Sequence, residues 1–417
     1  MTLLRRISAA LGCAVLGVVA LGTPAPAGEP AAPVLVIAHR GASSYQPEHT
    51  FAAYDLAIEM DADMIECDVQ ITADEQLVCL HDTTLNRTAR DPDTGAQITG
   101  RVETYTLAQL REMDFGRWKG AQFAGQEIVP LAEQLLCYRT INPRMRFHIE
   151  TKDPEGYDAS MEELVVELLD RVGYVPDSPA SPATSPIIIQ SFSGASLERL
   201  KAVAPTLPTA YLSTPPANWQ IPDAYDALSP SNGYIRSNPG FVDAMHAQGK
   251  FVHTYTVDDP AIMDQLLDLG VDGIFTNKPD VLRERVDARG TGVPASERGN
   301  PSELAHGCPG IAGTVNSIED VPQVPSITFA PGRSEVRAGS TVPVRFSTAA
   351  SLPGAVSGTQ VVVERPDGVR VSPRVVTPAG GEEQAIVRTV RGLPGDYDVI
   401  VLDDTGWELE RVTVTAS

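Results

Sequence analysis

Val34-Leu-Val-Ile-Ala38 is an apolar run too short for a helix and dominated by β-branched residues, which predicts a short strand buried on both faces. Runs of the same kind recur at Met64–Val69, Gln76–Leu80, Met145–Glu150, Ile187–Gln190, Thr206–Leu212, Gly233–Ile235, Phe251–Thr256 and Gly273–Thr276. Between them lie helix-length patterns at Thr50–Met60, Ala159–Val172, Ser196–Val203, Pro239–Gln248, Pro260–Leu269 and Pro279–Arg289. Strands alternating with helices predict a parallel sheet with crossover helices. With Gln76–Leu80 taken as a hairpin extension of the second strand, eight strand units remain, the number a closed (β/α)8 barrel needs. An open doubly wound sheet gives similar periodicity, but no Gly-rich phosphate loop follows the first strand. Residues 85–132 break the rhythm and read as an inserted lobe over the barrel mouth.

The pattern changes near Gly290. Gly, Pro and Ser punctuate the stretch to Pro325, and short alternating runs follow at Ser326–Phe329, Thr341–Phe346, Gln360–Glu364, Glu383–Val390, Tyr397–Leu402 and Leu409–Thr415. Short strands between Gly/Pro turns predict a β-sandwich of immunoglobulin or fibronectin type. The expected organisation is therefore a barrel at 28–290, a linker at 291–325 and an accessory β-sandwich at 326–417.

The N-terminus adds a destination. Arg5 and Arg6 precede the apolar stretch Ile7–Gly22, and Ala25-Pro26-Ala27 supplies small residues before Gly28, the three-part form of a secretory signal at 1–27. Its apolar run is shorter than a membrane span requires, so no transmembrane segment is expected in the mature protein. Cys13 lies in a poor lipidation context. Export, with or without retention on the cell wall, permits disulfides: Cys67 with Cys79, in neighbouring strands, and Cys137 with Cys308 form one pairing, against small buried thiols as the alternative. With 54 acidic against 32 basic residues the net charge of −22 argues against nucleic acid and anionic membranes as partners. It says little about the site, where a local cation cluster dominates.

Chemistry-bearing residues collect at strand ends. The first strand delivers His39-Arg40-Gly41, followed by Pro47-Glu48-His49-Thr50; the second carries Glu66 and Asp68 at alternate positions, hence on one face. His81-Asp82 and Glu150-Thr151-Lys152 close the next two. Taken singly, a strand-end histidine or an acidic pair needs no explanation beyond packing and solvation. Together they would meet at the C-terminal mouth of a barrel, where carboxylates crowd at a cost unless a cation neutralises them. Glu66, Asp68 and Glu150 form the ligand set for one divalent cation; the all-oxygen set suits Ca2+ or Mg2+ rather than Zn2+, with Ca2+ preferred. His39 and His81 suit proton transfer near neutrality, Arg40 and Lys152 suit non-bridging phosphate oxygens, and Gly41 suits a tight turn. Glu48 is a candidate orienting or ligating group, while Trp219 and Tyr255 are candidate substrate walls that serve equally well as core. Phe115, Trp118 and Phe123 of the lobe read either as a gate for the headgroup or as a local core.

At these positions the chain resembles the glycerophosphodiester phosphodiesterases, through His39-Arg40-Gly41, Pro47–Thr50, Glu66–Val69, His81–Thr88, Glu150-Thr151-Lys152, Ser191-Phe192 and Gly270–Thr276, across roughly Val34–Arg289. The resemblance implies a TIM-like (β/α)8 barrel with an insertion after the second strand unit and a bound divalent cation. It also implies hydrolysis of a small glycerophosphodiester to glycerol 3-phosphate and an alcohol, with His39 and His81 as acid and base, Glu66, Asp68 and Glu150 on the metal, and Arg40 and Lys152 on phosphate. His49 stands where many relatives have Asn, which leaves that loop's hydrogen bonding open. Three other readings remain: cleavage of lysophospholipids, cleavage of a cell-wall glycerophosphate polymer, and an inactive surface-binding scaffold. The oligomeric state is not legible.

Overall fold

Continuous apolar runs, rather than alternating ones, are what strands covered on both faces require, and they become the staves of a barrel. The computed structural model describes residues 33–141 and 145–294, short of 158–159, 177 and 215–220, then 298 and 313–321. From 326 onward it describes the strands named below with residues 365, 366 and 369. The barrel staves are β1 (Leu35–Ala38), β2 (Met64–Ile71), β5 (Arg146–Thr151), β6 (Ile187–Ser191), β7 (Thr209–Tyr211), β8 (Ala227–Leu228), β9 (Phe251–Thr254) and β10 (Gly273–Thr276). Each pairs in parallel with the next, and β1 pairs with both β2 and β10, which closes the ring. Two short strands, β3 (Leu77–Cys79) and β4 (Val129–Pro130), extend β2 as antiparallel neighbours, as the hairpin reading expects.

The crossover helices are α1 (Phe51–Glu59), α3 (Leu131–Ile141), α4 (Met161–Arg171), α5 (Gly194–Val203), α6 (Asn232–Ser237), α7 (Phe241–His246), α8 (Pro260–Asp268) and α9 (Pro279–Arg289), while α2 (Leu107–Arg111) belongs to the lobe. Thr50, Ser160, Ser193, Ser231 and Asp259 cap five of them by accepting backbone N–H bonds with their side chains. Alternate residues of β1 show the two-sided burial: Val36 and Ala38 join the outer core under the helices, whereas Leu35 and Ile37 join Met64, Ile188, Ala210 and Phe275 in a separate inner cluster. The lobe has its own small core of Val78, Leu85, Val102, Leu110, Phe115 and Ile128, which settles Phe115 as packing.

One strand is corrected. Gly233–Ile235 is helical, within α6, because Ser231 caps the turn through Tyr234 N–H; the stave is Ala227–Leu228, too short to announce itself by pattern. Cys67 faces away from Glu66 and Asp68 and forms a disulfide with Cys79. Cys137 is also disulfide-bonded, and Cys308, its expected partner, lies outside the described residues. Closing a loop with a sequence separation of 12 restricts the unfolded chain. The double substitution Cys67→Ala/Cys79→Ala is expected to lower the unfolding free energy by about 3 kcal/mol in urea titrations. An unchanged midpoint would show the bridge to be dispensable.

Residues 313–321, within the stretch read as a linker, pack on the barrel: Val315 and Val321 join the outer core. The Val315 N–H donates to Glu133 Oε1 at 3.0 Å, and Arg111 donates to both Glu133 and the Val315 carbonyl at 2.8 Å. Farther on, β11 (Ser326–Phe329), β13 (Thr341–Ser347), β17 (Glu383–Arg388) and β16 (Arg374–Val376) form one antiparallel sheet in that order. A second sheet runs β12 (Glu335–Val336), β19 (Glu408–Ala416), β18 (Gly395–Leu402), β14 (Gln360–Glu364), β15 (Arg370–Val371). No helix among the described residues is long and apolar enough to cross a membrane.

Candidate active site

Where β1 ends, the chain turns through two left-handed residues, Arg40 at φ 58° and Gly41 at φ 82°. A Cβ on Gly41 would lie 2.7 Å from the Ala53 backbone of α1, so the turn needs glycine for space as well as for conformation. The turn points the Arg40 N–H at Glu66 Oε2 (2.8 Å) and puts its guanidinium 3.1 Å from both Glu48 and Asp68. His49 also adopts positive φ, 57°, a conformation that Asn favours and His tolerates. Its ring bridges Asp68 Oδ2 (2.9 Å) and the Tyr54 hydroxyl (2.8 Å), which answers the open question about this loop.

Period-2 geometry on β2 and β5 does the rest. Glu66, Asp68 and Glu150 each place a carboxylate oxygen within 4.8 Å of the others, all three buried. Lys152 Nζ lies 2.8 Å from Glu150 and 3.8 Å from Asp68. His39, Arg40, Glu66, His81, Glu150 and Lys152 line one cavity of about 150 Å3 at the barrel mouth. Its other wall is apolar, with Phe192, Leu212, Tyr255 and Phe275. Phe192 is 52% exposed and meets Tyr255 edge to face. Glu48 sits to one side, accepting two bonds from Arg87 (2.7 and 2.8 Å). The Trp118 ring lies under the Arg87 guanidinium at 5.4 Å, and Trp219 is outside the described residues.

Sequence reasoning assigned nothing to the four residues that hold the imidazoles, directly or through a neighbour. His81 Nδ1 donates to Asp82 (2.6 Å), which Arg87 holds from the other side (2.8 Å). His39 Nδ1 contacts Asn277 Oδ1 at 2.8 Å, and Asn277 is fixed by Asp258. Asp82 and Arg87 fall inside a recognised motif, and Asn277 follows another directly, so position beside a motif was the available signal. Gln190, 3.4 Å from Glu150, completes the floor.

Burial drives His39 down to about 4, with the Arg40 charge acting the same way and Asp68 opposing. His81 is lowered too, by burial first. Among the carboxylates, burial followed by the charges of Asp68 and Glu150 pushes Glu66 well above its ordinary range. Glu150 rises to about 8 from burial and the Asp68 charge, against Lys152. Asp68 goes the other way: burial alone would raise it, but the His49 bond and the charges of Arg40 and Lys152 hold it well below normal. Two of the three acids are thus only partly compensated for a negative charge, and oxygen-only donors this close fit a hard divalent cation. Binding such an ion requires ionised ligands, so it should expel about one to two protons at pH 7. Calorimetric titration of the metal-free protein with Ca2+ in buffers of different ionisation enthalpy measures this, with affinity rising as pH climbs toward the Glu150 value. Buffer-independent heats would contradict it.

A mouth that combines imidazoles, cations and a cation-ready acidic cluster suits an anionic ester and proton transfer, which defines a barrel enzyme of phosphate-ester chemistry. The chain belongs to the glycerophosphoryl diester phosphodiesterase family, whose family model matches residues 39–281. It is 37% identical over 253 residues to the probable glycerophosphodiester phosphodiesterase 1 of Mycobacterium tuberculosis, covering 58% of this chain and 89% of the relative. A crystal structure of a putative glycerophosphoryl diester phosphodiesterase from Silicibacter pomeroyi superposes with a TM-score of 0.54 at 27% identity, covering 64% of this chain and 97% of that one. An Oleispira antarctica phosphodiesterase in complex with the product sn-glycerol-3-phosphate gives 0.53 at 26% identity, over 61% of this chain and 97% of that one.

Proposed function

We propose that this chain is an exported, cation-dependent phosphodiesterase that hydrolyses water-soluble glycerophosphodiesters to sn-glycerol 3-phosphate and an alcohol. The observation that carries it is the single cavity lined by His39, His81, Arg40, Lys152, Glu66 and Glu150. The product bound to the Oleispira antarctica relative supports the substrate class.

Glu66, Asp68 and Glu150 would hold the cation, Ca2+ ahead of Mg2+ because a loose carboxylate cluster suits its flexible coordination. When bound it supplies neutralisation of the acids and polarisation of a phosphoryl oxygen. Arg40 and Lys152 orient the remaining non-bridging oxygens. One imidazole takes the proton of the glycerol C2 hydroxyl as its oxygen bonds to phosphorus, and the other protonates the departing alkoxide. The resulting cyclic glycerol phosphate is then opened by water. Cyclic phosphate trapped in a single turnover supports this order; full activity on a substrate lacking the C2 hydroxyl favours direct attack by water.

The signal pattern at 1–27 supports export, as does the Cys67–Cys79 disulfide, since such bonds persist in oxidising compartments. The strands from 326 onward favour an accessory β-sandwich, in a division of 28–290, 291–325 and 326–417. Release of choline and ethanolamine from glycerophosphocholine and glycerophosphoethanolamine, with and without a chelator, tests the activity. No chelator-sensitive release from either would leave a surface-binding scaffold. The exposed Phe192 favours a second reading, an apolar alcohol substituent as in a lysophospholipid. Turnover of long-chain substrates beside glycerophosphocholine decides between them, and teichoic-acid-like glycerophosphate polymer belongs in the same panel.

A further inference from the structure

Asp258 and Asn277 have no place in the reaction just described, yet their hydrogen bonds end at His39. The Asn277 side-chain nitrogen donates to Asp258 Oδ2 at 2.7 Å, and its backbone N–H donates to Asp258 Oδ1 at 2.8 Å. An ionised carboxylate only accepts, so the amide nitrogen must face Asp258 and the amide oxygen must face away from it. That oxygen lies 2.8 Å from His39 Nδ1. Because an amide oxygen also only accepts, Nδ1 carries the ring proton and Nε2 keeps its lone pair. Ser43 Oγ lies 2.7 Å from Asn277 Oδ1 and from the His39 carbonyl. A hydroxyl rotates to donate or accept, so it follows the amide and does not set it.

We propose that Asp258 is a positioning residue that acts through Asn277 to select the His39 tautomer with a free Nε2, readying this imidazole to take the proton of the nucleophile. In the step itself the hydroxyl proton moves to Nε2, giving an imidazolium whose Nδ1–H stays on Asn277, and no proton reaches Asp258. Arg40, His49 and Asp68 act on the charge of His39, and Glu66, His81, Glu150 and Lys152 surround the same space. Among the described residues only Asn277 hydrogen-bonds to Nδ1, so the tautomer is decided there. The inference rests on His39 serving as the base in the proposed reaction, but the tautomer can be read without turnover.

The test exchanges donor and acceptor while conserving shape. In Asp258→Asn, the oxygen at position 258 stays on the Asn277 backbone N–H and the new amide nitrogen meets Asn277. The Asn277 amide then turns over and offers its nitrogen to His39, which must become the Nε2–H tautomer. The double variant Asp258→Asn/Asn277→Asp places an acceptor-only group against His39 and restores Nδ1–H. Ring 15N shifts in the Ca2+-loaded protein, assigned to His39 by their loss in His39→Gln, report the tautomer, and melting temperatures confirm folding.

Expected are Nδ1–H in the natural protein and Nε2–H in the single variant, with kcat on glycerophosphocholine down about a hundredfold. KM should stay within about threefold, since the loss falls on the transition state. The double variant should regain Nδ1–H and at least about tenfold of the lost kcat. The acidic limb of its kcat/KM profile should rise by about one pH unit, because a carboxylate now touches the imidazole. An Nε2–H tautomer in the natural protein, or no change of tautomer in Asp258→Asn, overturns the relay. A changed tautomer with unchanged kcat overturns instead the base assignment on which the relay's catalytic meaning depends.

Discussion

His39→Ala is expected to lower kcat on glycerophosphocholine by about a thousandfold while KM moves little, because the imidazole is needed only once the proton is in flight. The ring lines the cavity, and burial and the Arg40 charge keep it neutral to about pH 4, so a basic nitrogen is present throughout the neutral range. Activity limited by this group should fall only as pH drops through that low value, not through the ordinary histidine range. His81→Ala should cost a similar factor for a different reason. Burial lowers His81 as well, but its Nδ1 is paired with the Asp82 carboxylate at 2.6 Å, which offsets part of that lowering, so of the two imidazoles His81 is assigned as proton donor to the leaving alkoxide. The two losses therefore separate by leaving group. With glycerophospho-p-nitrophenol, whose leaving oxygen needs no proton, His81→Ala should recover most of its rate and His39→Ala should not. Equal rescue of both variants would sink the division of labour, and near-natural rates in both would sink the pair.

Much of this site was written in local pattern. Apolar runs located the staves, and period 2 on β2 put Glu66 and Asp68 on one face with Cys67 on the other, where it meets Cys79. Strand-end position then implied convergence at one mouth. What escaped is long-range. Stave β8 holds two residues, stabilised by neighbours on both sides and not by any pattern of its own, and the helical turn after Ser231 carried the stronger apolar signal. Asn277 and Asp258 are polar residues just beyond strands β10 and β9, ordinary as sequence and consequential only because ring closure sets β10 beside β1 and so beside His39. His49 shows the same limit. Its role as a bridge between Asp68 and Tyr54 depends on a left-handed turn that a single letter does not announce. The stretch around Val315 looked like spacer because Gly, Pro and Ser dominate its flanks, yet its apolar residues had the barrel's outer core to join.

The acidic cluster yields the other large effect, and here two of the proposed cation ligands should behave oppositely in the metal-free protein. Glu66→Gln and Asp68→Asn are each expected to weaken Ca2+ binding by about a hundredfold or more and to abolish measurable turnover. In a chelator, their stabilities should diverge. Glu66 is pushed far up by burial and by the charges of Asp68 and Glu150, so in the metal-free protein it carries a proton, and an amide in its place still accepts the Arg40 N–H. Its melting temperature should hold at neutral pH and exceed the natural protein's in alkali, where Glu66 would otherwise be forced to ionise among like charges. Asp68 has its folded value depressed below the unfolded one, so it contributes stability that is present above about pH 4 and lost as pH falls through the folded value. That contribution comes from His49 at 2.9 Å, Arg40 at 3.1 Å and Lys152 at 3.8 Å. Removing its charge leaves the half-buried Arg40 and Lys152 cations without their shared partner and should cost about 3 kcal/mol at neutral pH. Parallel melts of the two variants in chelator decide the matter: if Glu66→Gln falls as far as Asp68→Asn, the surplus of negative charge is not what prepares this cluster for a cation, and the case for a metal at these three carboxylates loses its physical ground.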